Sequence, residues 1–161
     1  MAIPAGRRAR EEVAPQGEQK MTAERACTVL IVEDNGLFRQ VLGDALRHRF
    51  PGLRVLEATD LDQGGVKLCE GRPDLVFLDI GLPDGNGLDL AEVIRRERPD
   101  AVVVVCTSHD LPEYRQAAEA CGAHHFLPKD QMDWEKVGDL VELALAGRVP
   151  LGAGQAQGAL P

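Results

Sequence analysis

The sequence is poor in aromatic residues, in positive charge and in long apolar runs. Aromatic residues make up 4% of its 161 residues, with one Trp and one Tyr. The apolar runs are about four to six residues long, against the roughly 20 that a membrane helix requires. No apolar stretch near the N-terminus has the pattern of a secretory leader, so a cytoplasmic protein without a membrane partner is expected. Lys and Arg number 18 against 26 Asp and Glu, a net charge of −8. An acidic chain repels phosphate backbones, which argues against direct nucleic-acid binding. None of the cysteines, at positions 27, 69, 106 and 121, forms a Cys-x-x-Cys pair. Zinc-ribbon and redox-motif readings therefore fail, and reduced thiols are expected.

The length suits one domain whose core needs no disulfide or metal staple. Residues 1–26 carry Arg7, Arg8, Arg10, Glu11 and Glu12 with few apolar side chains, and read as a disordered tail. Met21 offers an alternative start that would remove most of it. Residues 147–161 are rich in Gly and read as a second flexible tail. The folded unit is expected over 27–146.

Within it, short apolar runs alternate with helical patterns. Val29–Val32, Leu75–Leu78 and Ala101–Val105 read as strands buried on both faces. Arg54–Ala58 is more polar and suits an edge, and His125–Leu127 is a short last strand. Between them, Phe38, Val41, Leu42, Ala45 and Leu46 trace one helix face, and Val137, Leu140, Val141, Ala144 and Leu145 another. A weaker helix is expected over 62–70, where Gly64 and Gly65 lower the propensity, and further helices around Leu90–Ile94 and around Tyr114–Cys121, the latter with Asp110 and Glu113 as a capping box. Five βα units imply a parallel sheet with helices on both faces, a doubly wound α/β fold. Ligands of such folds bind beyond the carboxyl ends of the strands.

Those ends carry the chemistry. The first strand ends in Glu33-Asp34, the third in Asp79, the fourth in Thr107-Ser108, and Lys129 follows the fifth. Three carboxylates crowded in one crevice repel unless a cation neutralises them. Oxygen ligands select a hard ion such as Mg²⁺. A lysine and a hydroxyl beside them supply charge and a donor for an anion. Together these groups suit a phosphoryl acceptor in which a carboxylate attacks phosphorus. The bland readings are a strand-end Asp, a helix cap at Glu33 or Asp34, a cap at Thr107 and a solvated Lys129. Burying a carboxylate after four apolar residues is costly without a purpose, which favours the functional reading of Asp79.

The segments Val29–Asn35, Leu75–Gly87, Val103–Ser108 and Gly122–Lys129, in this order and strand context, resemble the receiver domain of bacterial response regulators. The resemblance covers about residues 27–146. It implies a flavodoxin-like (βα)5 fold with a five-stranded parallel sheet of order 2-1-3-4-5. It implies phosphorylation of Asp79 by a histidine kinase or histidine phosphotransfer protein. Asp34, Asp79 and the Gly81 carbonyl would hold Mg²⁺, with Glu33 contributing through water. Lys129 would pair with the phosphoryl group and Thr107 would swing in to hydrogen-bond it. Phe126 would be a rotating aromatic on an output face of the fourth helix, fifth strand and fifth helix. His109 would sit where dephosphorylation is tuned.

One departure is Lys129-Asp130 where many receivers have Lys-Pro. The pair resembles receivers that precede a helix-turn-helix domain, yet none follows in this sequence. The expectation is a single-domain phospho-switch, monomeric or weakly dimeric, acting on an unidentified downstream protein rather than as an enzyme. A phosphorylation-independent adaptor is the alternative. A haloacid-dehalogenase-type phosphatase would need Asp-x-Asp, and Gly81 stands where its second acid would be. A flavin carrier would not place Glu33-Asp34 against a phosphate.

Overall fold

Strand β1 (Thr28–Val32) is buried along its whole length, as a strand covered on both faces must be. The computed structural model describes residues 26–147. The expected tails and the alternative start at Met21 lie outside the described residues, apart from Ala26 and Gly147 at their edges. After β1 come α1 (Gly36–Arg49), β2 (Arg54–Ala58), α2 (Leu61–Gly71) and β3 (Leu75–Leu78). A short hairpin, β4 (Gly81–Leu82) and β5 (Gly85–Asn86), leads into α3 (Gly87–Glu97). Then follow β6 (Val102–Thr107), α4 (Pro112–Ala120), β7 (His125–Pro128), a 3-10 turn (Lys129–Gln131) and α5 (Trp134–Leu145).

The main sheet has the order β2-β1-β3-β6-β7 with every pair parallel. Leaving out the hairpin, this is the expected 2-1-3-4-5. The polar strand β2 lies at one edge, and β7, which tolerates Pro128, at the other.

Alternation along the strands divides the core. Leu30, Val32, Val76, Leu78, Val103 and Val105 face Leu68 of α2, Leu90, Ala91 and Ile94 of α3, and Ala118 of α4. Val29, Ile31, Leu75, Phe77, Val102, Val104 and Cys106 face Leu42 and Leu46 of α1 and Val137, Leu140 and Val141 of α5. This is the period-two signature of a sheet covered on both sides. It places Cys106 in the core, as its apolar neighbours suggest.

The caps differ in part from expectation. Asn35, not Glu33 or Asp34, caps α1, its Oδ1 accepting the Phe38 N–H at 3.0 Å. That leaves both carboxylates to the strand end. The capping box of Asp110 and Glu113 does not form. Helix α4 starts at Pro112 with Leu111 at the cap position and no side-chain cap. Proline at the first helical position has no N–H to satisfy and a preset φ, so α4 begins one residue later than expected. Asp110 instead pairs with Arg115, Oδ1 to Nε at 2.7 Å.

His124 extends the pairing of β6 with β7. Its N–H donates to the Val103 carbonyl at 2.8 Å, and its Nδ1 accepts the Val103 N–H at 3.0 Å. Burial lowers its pKa, which keeps the ring a neutral acceptor.

Candidate phosphoryl-acceptor site

The sheet order reverses at β1 and β3, so their carboxyl ends open a crevice between the connections that follow. Glu33 and Asp34 stand just after β1, and Asp79 just after β3. Oxygens of these three carboxylates lie within 4.8 Å of one another. Glu33 is 2% and Asp79 8% exposed, whereas Asp34 is open to solvent.

Lys129, at the end of β7, closes the crevice. Its Nζ lies 2.5 Å from Glu33 Oε2 and 3.2 Å from Asp79 Oδ2. The same ammonium sits 4.9 Å from the centroid of the Phe38 ring. Glu33 Oε1 accepts the Asn35 N–H at 3.0 Å, and Asp79 Oδ1 accepts the Ile80 N–H at 2.8 Å. The buried carboxylates are thus held by named donors, as burial requires.

The electrostatics follow from this crowding. Burial raises the Glu33 pKa, the Lys129 and Asn35 hydrogen bonds only partly offset it, and the Asp79 charge adds to the rise. Burial pulls the Lys129 ammonium down, but its bond to Glu33 and the charges of both carboxylates outweigh this and hold its pKa above the ordinary lysine value. Three carboxylates against one ammonium make a donor set of oxygens with excess negative charge. That set fits a hard divalent cation.

The loop after Asp79 is tightly built. A Cβ on Gly87 would overlap the Asp79 carbonyl oxygen, so only glycine lets α3 begin this close to the acceptor. The Gly87 N–H donates to the Ile80 carbonyl at 2.7 Å. Gly81 lies in the hairpin directly after Ile80, exposed.

The remaining candidates frame the site. Thr107 ends β6, is 1% exposed, and pairs in register with Pro128, the neighbour of Lys129. Its Oγ1 accepts the His109 N–H at 3.1 Å, while Asp79 is engaged by Ile80 and Lys129. Phe126, half-buried on β7, lies under the Arg115 guanidinium, 4.6 Å from ring centroid to Cζ. His109 is exposed, its ring centroid 5.9 Å from that of Tyr114. The structure therefore groups Glu33, Asp34, Asp79 and Lys129, and keeps the Thr107 hydroxyl on its own loop.

Two residues escaped the sequence reading. Arg39 donates from Nη1 to the Glu33 carbonyl at 2.8 Å and from Nε to Glu57 at 3.0 Å. Asp84, in the hairpin loop, accepts the Leu61 and Asp62 N–H groups at 2.8 and 3.0 Å and so ties that loop to the start of α2. A basic residue one turn into a helix after an acidic strand end was the available signal for Arg39. Nothing local marked Asp84.

A doubly wound parallel sheet with a carboxylate cluster and a lysine at its switch point defines a class, the signalling domains of the CheY-like fold. Residues 29–140 match the response regulator receiver domain, and the chain belongs to that family. The KDP operon transcriptional regulatory protein KdpE of Escherichia coli is 37% identical over 101 residues, covering 63% of this chain and 44% of that protein. The DNA-binding transcriptional regulator NtrC of Azospirillum brasilense is 31% identical over 141 residues, covering 84% of this chain and 29% of that protein. The chain thus spans less than half the length of either relative. A LuxR-family two-component response regulator from Aurantimonas is similar in structure, with a TM-score of 0.66 and 27% identity over 83% of this chain and 94% of that one. Receiver domains are signalling phosphoacceptors of two-component systems that bind Mg²⁺ at an acidic pocket. No helix among the described residues is long and apolar enough to cross a membrane.

Proposed function

We propose that this domain is a phospho-switch in which Asp79 accepts a phosphoryl group from the phosphohistidine of a histidine kinase or histidine phosphotransfer protein. The observation that carries this reading is the Asp79 carboxylate, nearly buried, within 4.8 Å of two further carboxylates and 3.2 Å from the Lys129 ammonium. One Asp79 oxygen forms the new O–P bond as the N–P bond of the donor breaks. The electron pair leaves with the imidazole nitrogen, and the product is an acyl phosphate. Glu33, Asp34 and Asp79, with the Gly81 carbonyl, would hold Mg²⁺, which when bound offsets the charge on the phosphoryl oxygens.

Lys129 has a second task. Once Asp79 is esterified, its ammonium remains fixed by Glu33 and meets a phosphoryl oxygen in place of the carboxylate oxygen it now binds. Thr107 then exchanges the His109 N–H for the phosphoryl group, its hydroxyl donating. The added charge, about −1.5 to −2, biases an equilibrium between two arrangements of the β6–α4 loop and Phe126. Output is altered affinity for a partner protein at the face of α4, β7 and α5.

The test is intact mass after incubation with acetyl phosphate and Mg²⁺, beside Asp79→Asn. One added phosphoryl group, absent from the variant, is expected. An unmodified wild type under both acetyl phosphate and a phosphohistidine donor would overturn the proposal in favour of a phosphorylation-independent adaptor.

A further inference from the structure

Arg115 stands between two parts of the domain that the switch has to move. It is the fourth residue of α4. Its Nε pairs with Asp110 Oδ1 at 2.7 Å, on the loop that Thr107 leads. Its Cζ lies 4.6 Å from the centroid of the Phe126 ring, within the range of a cation–π contact. The pairing lowers the Asp110 pKa and raises that of Arg115, so both are charged at neutral pH.

The loop between Thr107 and α4 is short and tied at each step. Thr107 Oγ1 holds the His109 N–H at 3.1 Å. The His109 ring rests against Tyr114 at 5.9 Å. Asp110 holds Arg115, and Arg115 covers Phe126, whose register partner Val105 lies two residues before Thr107. One side of the ring packs against the core and the other is open. A cavity of about 340 Å³ adjoins it, lined by Arg115, Phe126, His125 and Lys136 among others. The Arg115 guanidinium covers the ring on its open side.

We propose that Arg115 is a positioning residue that clamps Phe126 and the β6–α4 loop in the present arrangement, and so opposes the move of Thr107 toward a phosphoryl group on Asp79. The inference rests on the phospho-switch reading. In this reading Thr107 exchanges the His109 N–H it now accepts for the phosphoryl group, and residues 108–110 move with it. That displacement stretches the Asp110–Arg115 pair, and the guanidinium leaves the ring. An interaction made in one arrangement only shifts the equilibrium by its own strength, so losing the clamp raises the population of the switched state.

The experiment combines Arg115→Met, which keeps the stem and removes the charge, with Asp110→Asn, which removes the negative charge of the pair but keeps the guanidinium. Labelling with 4-fluorophenylalanine gives one fluorine signal for each of the four Phe residues, and Phe126→Leu assigns that of Phe126. In unphosphorylated Arg115→Met, the Phe126 signal is expected to move toward its position in the phosphorylated wild type. The Phe38, Phe50 and Phe77 signals should stay in place. Uptake from acetyl phosphate should rise about threefold to tenfold in Arg115→Met and less in Asp110→Asn. An unmoved Phe126 signal together with an unchanged uptake rate would overturn the clamp. Failure of the wild type to take up a phosphoryl group would instead overturn the acceptor reading and the coupling to Thr107, while a Phe126 signal displaced in Arg115→Met from its place in the unmodified wild type would still show that Arg115 holds the ring.

Discussion

The Arg39 guanidinium donates to the Glu33 carbonyl at 2.8 Å and to the Glu57 carboxylate at 3.0 Å. It therefore fastens the turn that carries Glu33 and Asp34 to the edge strand β2. Burial of Glu57 works against its ionised form, but hydrogen bonds from Arg47 and Arg39 win and lower its pKa, so the pairing persists well below neutrality. Arg39→Ala should cost about 1–2 kcal/mol in urea unfolding, the scale of a charged hydrogen bond plus a partly exposed ion pair. It should also slow uptake of phosphate by loosening the turn. A variant as stable as the wild type would show that the turn holds without it.

Lys129→Met should destabilise the domain by about 2–3 kcal/mol at pH 7. The change leaves Glu33 and Asp79 facing each other without their shared cation, and breaking a buried pair costs more than the pair contributes. Uptake of phosphate should fall at least tenfold. Added Mg²⁺ should raise the melting temperature of this variant more than that of the wild type, since the vacated positive charge is what the carboxylates lack. Equal shifts in both proteins would count against the shared-charge account.

Gly87→Ala separates close approach from simple helix propensity. Its Cβ would overlap the Asp79 carbonyl oxygen, which is main chain and cannot swing aside. At Gly64 a Cβ would meet Leu90 Cδ2 at 2.9 Å, the end of a flexible side chain. We expect Gly87→Ala to cost about 3 kcal/mol or more and Gly64→Ala about 1 kcal/mol, by denaturant midpoints. The reverse order would refute the steric assignment.

Arg72 points the other way. It ends α2 at φ 48° and ψ 60°, the left-handed region that an L side chain enters at a cost. Arg72→Gly should stabilise the domain by about 0.5–1 kcal/mol, because glycine is the residue this terminus favours. The Arg72 carbonyl that accepts from Arg98 is main chain and survives the change. A loss of stability would mean that the Arg72 side chain makes a contribution larger than its backbone cost.

The acceptor cluster was legible because strand ends follow from continuous apolar runs. Once Val29–Val32 and Leu75–Leu78 are buried parallel strands, Glu33, Asp34 and Asp79 must leave the sheet at the same edge. Lys129 was legible only through its position after the fifth strand. Arg39 was not, since its contact with Glu57 joins residues 18 apart and needs β2 to lie beside β1. Asp110 was misread as a cap because Pro112 removes the need for one. The acceptor role of His124 toward Val103 was not legible, because it depends on the register of β6 with β7.

His125 gives the acid limb of the stability profile a named source. Burial, then the charges of Lys136 and His124, push its pKa down to about 4 from an ordinary 6.5. The neutral ring is the folded form, so below pH 6.5 the unfolded chain binds a proton that the folded chain refuses. Stability attributable to His125 is therefore complete above about pH 6.5 and is lost progressively as pH falls toward 4. Between pH 8 and pH 5 the loss should be about 2 kcal/mol. His125→Gln removes the titration while keeping a polar side chain. Urea unfolding of wild type and variant at pH 8, 6 and 5 should show their difference in stability shrinking by that amount toward acid. Parallel profiles would place the titration elsewhere and leave His125 as ordinary packing.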